Sequence, residues 1–302
     1  MIKITVPATS ANMGSGFYSM GVALRLYNEV SLAPSDHVDI HVHGGARVRR
    51  DASNLIYKTV SHVYDLCGKT LHGLKIIEKS NIPKTRGLGS SSACIVAGIL
   101  GANELLGRPL SRREMIDLAA QLEGHPDNAV PAMIGGVVVS VLDGGHVYYT
   151  QLPLKERLLF TALIPDFQLN TGRARAALPE QVRHEDARFN VARAALLAAS
   201  LSQGKLSNLK IAMQDRLHQD ARFAMIPGGR ELYDRLYEAG ALGVYISGAG
   251  PTLIAVTRAG NRRFPDALRA QKSEALSGFH ILPLHCDLRG ATVTLKKHSG
   301  RS

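Results

Sequence analysis

Pro83-Lys84-Thr85-Arg86-Gly87-Leu88-Gly89-Ser90-Ser91-Ser92-Ala93 stands between two patterned segments. Before it, Leu74-Lys75-Ile76-Ile77-Glu78 alternates as a strand; after it, Ala93, Val96, Ala97 and Leu100 fall on one helical face. Glycines in such a turn let backbone N–H groups approach an anion closely, and the helix behind them presents its positive N-terminus. The hydroxyls of Ser90, Ser91 and Ser92 can donate to phosphate or ligate a hard cation. The stretch is neither of the two common phosphate fingerprints: no Gly-Lys-Ser/Thr follows, and the Gly-x-Gly lacks its third glycine. A glycine-rich connector ahead of a serine-capped helix would read the same way, so the rest of the chain has to decide.

The 302 residues, 45% hydrophobic and 20% charged, describe a folded chain of one large or two modest domains and exclude long-range disorder. No apolar run is long enough to span a bilayer, and Met1 to Pro7 has no signal-peptide character. Cys67, Cys94 and Cys286 form neither a disulfide framework nor a zinc site, so a reducing, cytoplasmic compartment is expected. A net charge of +11 favours anionic partners. The basic residues are scattered, with short clusters only at residues 47–50 and 296–298, and tryptophan is absent. Composition therefore points to a small anionic substrate, with neither nucleic acid nor membrane as a partner.

Around the central stretch the elements come in mixed order. Ile2, Ile4 and Val6 alternate as a strand into a turn-rich Ala11–Gly16 segment, and a helix opens at Asn54 and runs to Leu66. Ser111 and Glu114 form a capping box before Met115, Leu118, Ala119 and Leu122. Residues 136–142 and 146–152 flank Asp143-Gly144-Gly145 as a hairpin. Beyond a boundary near 153–158 come a strand at 160–164 and an alanine-rich helix through Phe189, Ala192, Leu196 and Leu197. A helix through Leu206, Leu209, Met213 and Leu217 follows, then one through Leu232, Leu236 and Ala239, and strands at 243–247 and 252–257. Without regular β-α-β alternation this is an α+β chain, divided as 1–155 and 156–302.

Pro83-x-x-x-Gly87-Leu88-Gly89-Ser90-Ser91-x-Ala93 resembles the phosphate-binding motif of the GHMP kinases, a family that includes galactokinase, homoserine kinase and mevalonate kinase. Val6-Pro7-Ala8-Thr9-Ser10-Ala11-Asn12-Met13-Gly14 is similar to the family's N-terminal motif, and Ser247-Gly248-Ala249-Gly250-Pro251-Thr252 to its C-terminal glycine-rich motif. Glu123-Gly124-His125-Pro126-Asp127-Asn128 and Asp215-Arg216-Leu217-His218-Gln219 resemble the homoserine kinase branch. The resemblance covers residues 2 to about 290. It implies a two-domain architecture, with a ribosomal-protein-like β-α N-terminal domain, a ferredoxin-like C-terminal α/β sandwich and the site between them.

It also implies an ATP- and Mg²⁺-dependent small-molecule kinase acting on a carboxylate-bearing alcohol, L-homoserine first, and a homodimer. Asn54 would lie near the adenine, and Pro83, Arg86, Gly87, Leu88, Gly89, Ser90, Ser91 and Ser92 along the triphosphate. Ser91 and Glu123 would hold magnesium. Asn12, Tyr18, His125 and Asp127 would line the acceptor pocket, and Arg175 and Arg222 would clamp its carboxylate. Asp127 and Asn128 would flank the chemistry, with no strong protein base and with Asn128 orienting the hydroxyl; His218 reads as structural. The pattern departs at Tyr18, where homoserine kinases place an aspartate that binds the substrate's ammonium. A neutral phenol cannot replace that charge, so a different hydroxy acid is the alternative acceptor, and a non-catalytic ligand sensor a further one. Ser15 and Asp220 stand where the branch usually has proline.

Overall fold

The structure, a computed structural model, describes residues 1–43, 48–261, 263–271 and 276–295. The basic cluster at 296–298 and Arg47 therefore lie outside the described residues.

Strands β1 (Ile2–Met13) and β2 (Gly16–Pro34) form a long antiparallel hairpin closed by Gly14 and Ser15 alone. The turn-rich reading of 11–16 thus shrinks to two residues, because β1 continues through Asn12 by way of an irregularity between Ala11 and Met13. At that bulge Asn12 takes φ 55° and Tyr18, across the hairpin, φ 57°. Strand β3 (Val38–His43) lies parallel to β4 (Leu74–Lys79), and β4 pairs with β2. The hairpin of β5 (Val137–Asp143) and β6 (His146–Leu152) joins the sheet along Met20–Val22.

Helices α1 (Leu55–Leu66), α2 (Ser90–Leu105), α3 (Arg112–Glu123) and α4 (Pro126–Ile134) form the layer against this sheet, α2 and α4 directly on β1 and β2. The expected capping box of α3 is present: Ser111 Oγ accepts from the Glu114 N–H, and Glu114 returns the bond to the Ser111 N–H at 2.7 Å. It contributes on the order of 1 kcal/mol. Helix α4 is not legible as an apolar stripe, because it is buried all round and opens on Pro126, a residue suited to a first helical turn.

The second sheet is antiparallel, in the order β10 (Phe279–His285), β7 (Leu158–Pro165), β9 (Leu253–Arg258), β8 (Gly243–Ile246). Strands β7, β8 and nearly all of β9 are buried on both faces, whereas the edge strand β10 is largely half-buried or exposed. Phe160, Ala162, Ile254 and Val256 join the main core, whereas Leu163, Val244, Leu253 and Ala255 belong to a second one. The elements between β7 and β8 are α5 (Thr171–Ala176), α6 (His184–Gln203), α7 (Leu209–Ala212), α8 (Gln219–Phe223) and α9 (Gly229–Glu238); α10 (Arg263–Ala270) follows β9. Helices α9 and α10 cover the second core through Leu232, Leu236, Phe264 and Leu268. Leu197 and Leu201 of α6 and Leu209 of α7 close the first core from the other side.

Two expectations need correction. The single helix through 206–217 is a 3₁₀ turn at Leu206–Asn208 followed by α7, and it stops at Met213. The cause is Asp215, whose carboxylate accepts from the backbone N–H groups of Leu217, His218 and Gln219 and so redirects the chain into α8. The chain also does not keep its C-terminal half to the second sheet, because β11 (Thr292–Leu295) returns to pair with β1.

Candidate active site

A cavity of about 400 Å³ lies where the loop between β4 and α2 meets the loop between β8 and β9. Gly89 caps α2 with φ 69° and offers no side-chain cap, which leaves the first-turn N–H groups of a sixteen-residue helix open toward the cavity. Only glycine fits at two points of this loop. A Cβ at Gly89 would stand 1.9 Å from Thr9 Oγ1, and one at Gly87, φ 76°, would stand 2.1 Å from the Ser247 carbonyl. The C-terminal glycine motif buttresses the loop: Ser247 Oγ donates to the Gly87 carbonyl at 2.6 Å. Ser247 is in turn held by Ser10, 2.7 Å away, and the Gly248 N–H donates to Ala11.

Glu123, the last residue of α3, reaches the cavity with its Oε2 buried and unpartnered. Burial raises its carboxyl above the usual range, while the charge of His125 and the hydroxyls of Ser91 and Ser92 oppose that rise. A buried carboxylate with a spare oxygen, beside the Ser91 hydroxyl, is a donor set for a hard cation. Ser92 is fully buried behind the wall.

At another part of the wall Arg222, on α8, is 2% exposed. Its Nη1 donates to His218 Nδ1 at 2.8 Å and to the Gly248 carbonyl at 2.7 Å, while its Nε has no partner. Burial pulls its guanidinium down to about 10, so it stays charged at neutral pH without a carboxylate bonded to it. Because His218 Nδ1 accepts from Arg222, Nε2 must carry the proton, which it donates to the Gly14 carbonyl at 2.9 Å. Burial pushes this imidazole down to about 4, and Phe17 stacks on its ring, so His218 is a neutral support for Arg222. Arg175, exposed on α5, lines the same cavity.

Thr9 Oγ1 donates to Asn128 Oδ1 at 2.7 Å, which leaves the Asn128 amide nitrogen as its available donor. Asp127 is 1% exposed, and its Oδ1 meets His125 Nδ1 at 2.5 Å. Burial works against charge on His125, yet the hydrogen bond and charge of Asp127, with Glu123 behind them, raise its pKa. Tyr18 meets the His125 ring edge-on at 5.7 Å, its N–H donating to Asn12 Oδ1 while Asn12 Nδ2 donates to the Gly248 carbonyl.

Every residue singled out for the site lines this one cavity except Arg86 and Ser92. The Arg86 guanidinium is spent on the carbonyls of Lys84, Pro165 and Asp166, fastening the loop to the end of β7. Asn54 lines the cavity, but its amide is the N-cap of α1, accepting from Ile56 and Tyr57 and donating to Arg49. Sequence reading passed over Thr9, hidden inside a quoted motif, and Glu78. The signal for Glu78 was available: Leu74, Ile76 and Glu78 share the inward face of β4, which puts an acid in a core register.

A helix-capped phosphate loop, a second glycine motif bracing it and a carboxylate-and-hydroxyl corner define a small-molecule kinase cleft. Residues 54–136 match the GHMP kinases N terminal domain and residues 194–273 the GHMP kinases C terminal domain. The chain belongs to the GHMP kinase family. It is 42% identical to the homoserine kinase of Clostridium beijerinckii over 97% of this chain and 98% of that one. It is 44% identical to that of Carboxydothermus hydrogenoformans over 86% of each. The crystal structure of homoserine kinase from Cytophaga hutchinsonii superposes with a TM-score of 0.84 at 28% identity over 97% of both chains. The mevalonate kinase of L. major, in complex with R-mevalonate, shares the fold at a TM-score of 0.72 and 16% identity.

Proposed function

We propose that the chain transfers the γ-phosphoryl group of ATP to the side-chain hydroxyl of L-homoserine, giving O-phospho-L-homoserine on the route to threonine. The names of its relatives support the acceptor. The observation that carries the reading is Arg222, a buried charged guanidinium with a free N–H, on the wall of the cavity into which α2 opens its N-terminus. One place calls for a carboxylate and the other for phosphates. The 1–155 half would hold the nucleotide and the 156–302 half the acceptor's carboxylate, in a cytoplasmic enzyme that acts as a homodimer.

In this reading the triphosphate lies along Pro83 to Ser91, cradled by the α2 N–H groups, which need no reorganisation as charge moves onto the transferring oxygens. Glu123 and Ser91 fit magnesium, for which Glu123 has an unpartnered buried oxygen; when bound, the ion neutralises phosphate charge. Arg222 and Arg175 fix the acceptor's carboxylate and so aim its hydroxyl at the γ-phosphorus. The hydroxyl oxygen then forms the new P–O bond, the bond to the β-phosphate oxygen breaks to release ADP, and the hydroxyl proton passes to solvent water. Asn128, with its carbonyl oxygen held by Thr9, contributes its amide N–H to the acceptor oxygen or the γ-phosphoryl. Asp127 is already bonded to His125, so no side chain is assigned as a strong base, and positioning carries the rate.

A second reading rests on Tyr18. It occupies the place of the ammonium-binding carboxylate, and its ring meets His125, whose partner Asp127 is an acid of the same cavity. If Asp127 does not compensate, the acceptor is a hydroxy acid without an ammonium. Magnesium-dependent ADP release with L-homoserine and with 4-hydroxybutyrate at matched concentration separates the two. Homoserine ahead by a hundredfold or more supports the first, equal or reversed rates support the second, and no turnover of either defeats both.

A further inference from the structure

Glu78 is a buried acid for which the reaction as described has no use. It is 1% exposed on the inward face of β4, and neither of its carboxylate oxygens has a hydrogen-bond partner. No lysine, arginine or histidine nitrogen approaches within ion-pair distance among the described residues. Yet Glu78 lines the same cavity as the phosphate loop, whose lining also includes Asn54, Leu55, Pro83, Lys84 and Cys94. Burying an acid with no partner is costly, and such a group is retained where something else satisfies it. The two other ionisable groups on this wall with unpartnered buried atoms, Glu123 and Arg222, each face a charged part of the bound reactants in the reading above.

In the reading above the magnesium ion is already served by Glu123 and Ser91, so it does not answer for Glu78. Phosphate oxygens would be repelled. What remains in a nucleoside triphosphate are its donors: the exocyclic amino group of the base and the two ribose hydroxyls. The phosphates are anchored at Gly89 to Ser91, and the ribose must sit next to them. The base therefore reaches farthest from that anchor, and Val48, Leu55 and Pro83 are apolar residues of the cavity lining on which a flat ring can rest. Cys94, its thiol pushed up to about 12 by burial and by Glu78, is inert packing beneath it.

We infer that Glu78 is the base-reading residue of the donor site, accepting a hydrogen bond from the 6-amino group of adenine and so selecting adenine nucleotides. The inference rests on the proposal that a nucleoside triphosphate is the phosphoryl donor. An acid in this place works in either protonation state, since a carboxylate accepts from the amino group and a neutral carboxyl can in addition donate to the adjoining ring nitrogen.

The test compares kcat/KM for ATP with that for purine riboside 5′-triphosphate, which lacks only the 6-amino group, in the wild type, Glu78→Gln and Glu78→Ala. The expected wild-type preference for ATP is about 10- to 100-fold, the effect of a hydrogen bond to an ionised group. Glu78→Ala should bring the ratio close to one through KM for ATP, and Glu78→Gln, which keeps an accepting oxygen, should restore much of it. A ratio unchanged in Glu78→Ala, or a loss equal for both nucleotides, overturns the inference. So does a preference for ATP over 2′-deoxy-ATP that Glu78→Ala abolishes while the purine ratio persists, since that assigns the carboxylate to the ribose. Turnover of neither nucleotide by the wild type defeats the kinase reading itself, which keeps the two failures apart. Calorimetric titration of ATP into each variant supplies the same ratios without turnover and separates a binding loss from misfolding.

Discussion

Replacing Arg222 by methionine removes a charge at roughly constant volume and tests what the cavity asks of its ligand. In the free protein the guanidinium holds His218 Nδ1 and the Gly248 carbonyl. Losing it leaves His218 Nδ1 buried without a donor, at a cost of about 1–3 kcal/mol, while the Gly248 carbonyl keeps the bond from Asn12 Nδ2. Relief of a buried charge offsets part of that, so stability should fall by only about 1–2 kcal/mol, read from a urea melt. Catalysis should suffer more selectively. A desolvated charge pair broken on one side costs about 3–5 kcal/mol, and Arg175, which also lines the cavity, keeps the loss near the lower end. About 3 kcal/mol corresponds to roughly 150-fold in kcat/KM for homoserine. The control is 3-aminopropan-1-ol, which is homoserine without its carboxylate. The wild type should use it poorly, and Arg222→Met should use it about as poorly as the wild type does, so that the preference for homoserine collapses. If the variant slows both alcohols by the same factor, Arg222 only braces the fold and the carboxylate assignment is wrong.

Three further outcomes follow from the same geometry. Glu123→Gln keeps size and one acceptor but removes the charge, so the magnesium concentration for half-maximal turnover should rise by roughly tenfold or more; an unchanged magnesium curve would take Glu123 out of the metal site. Gly89→Ala forces a Cβ toward Thr9 at φ 69°, which should cost about 1–3 kcal/mol and most of the turnover, and a variant as stable and active as the wild type would show the loop to be plastic. The fold holds the pKa of His218 near 4 whereas an unfolded chain takes up the proton near 6.5, so stability should drop as pH falls between those values, by up to ~3 kcal/mol. His218→Gln should flatten that part of a urea-midpoint profile, and an equally steep profile would place the titration elsewhere.

How much of this was legible depended on whether the sequence carries a local cause. The strand, glycine turn and helix at 74–105 and the capping box at Ser111 are local, since short-range sterics and hydrogen bonds set them. The hairpin at Asp143-Gly144-Gly145 is equally local: both glycines have positive φ, as a two-residue turn requires. Helix α4 was missed because an all-round buried helix has no polar face to set a period. The break at Met213 was missed because its cause, Asp215 bonding three backbone N–H groups, lies beyond the helix it ends. Residue types in motifs indicated where Asn54 and Arg86 would be, but not what their side chains would be spent on. Asn54 caps α1 and Arg86 ties down three carbonyls, and both bonds depend on chain segments that only the fold brings near.

Buried polar atoms without partners are the most informative objects in such a cavity, because folding alone has no reason to leave them so. Each costs about 1–3 kcal/mol in the free protein, a large fraction of the 5–15 kcal/mol that holds a domain together. Glu123 Oε2, Arg222 Nε and both oxygens of Glu78 lie in residues of one cavity wall. Read as complements, they call for a cation, an anion and a neutral donor, which are a hard metal, a carboxylate and a base amino group. One ternary complex supplies all three, and no two of them can be met by the same ligand atom. Tyr18 is the place where this logic stops, because its N–H is satisfied by Asn12 and its ring rests against Phe17 and His125. On the proposed reading the wall asks for a carboxylate at Arg222 more sharply than for an ammonium, which is why the des-amino acceptor is the discriminating substrate.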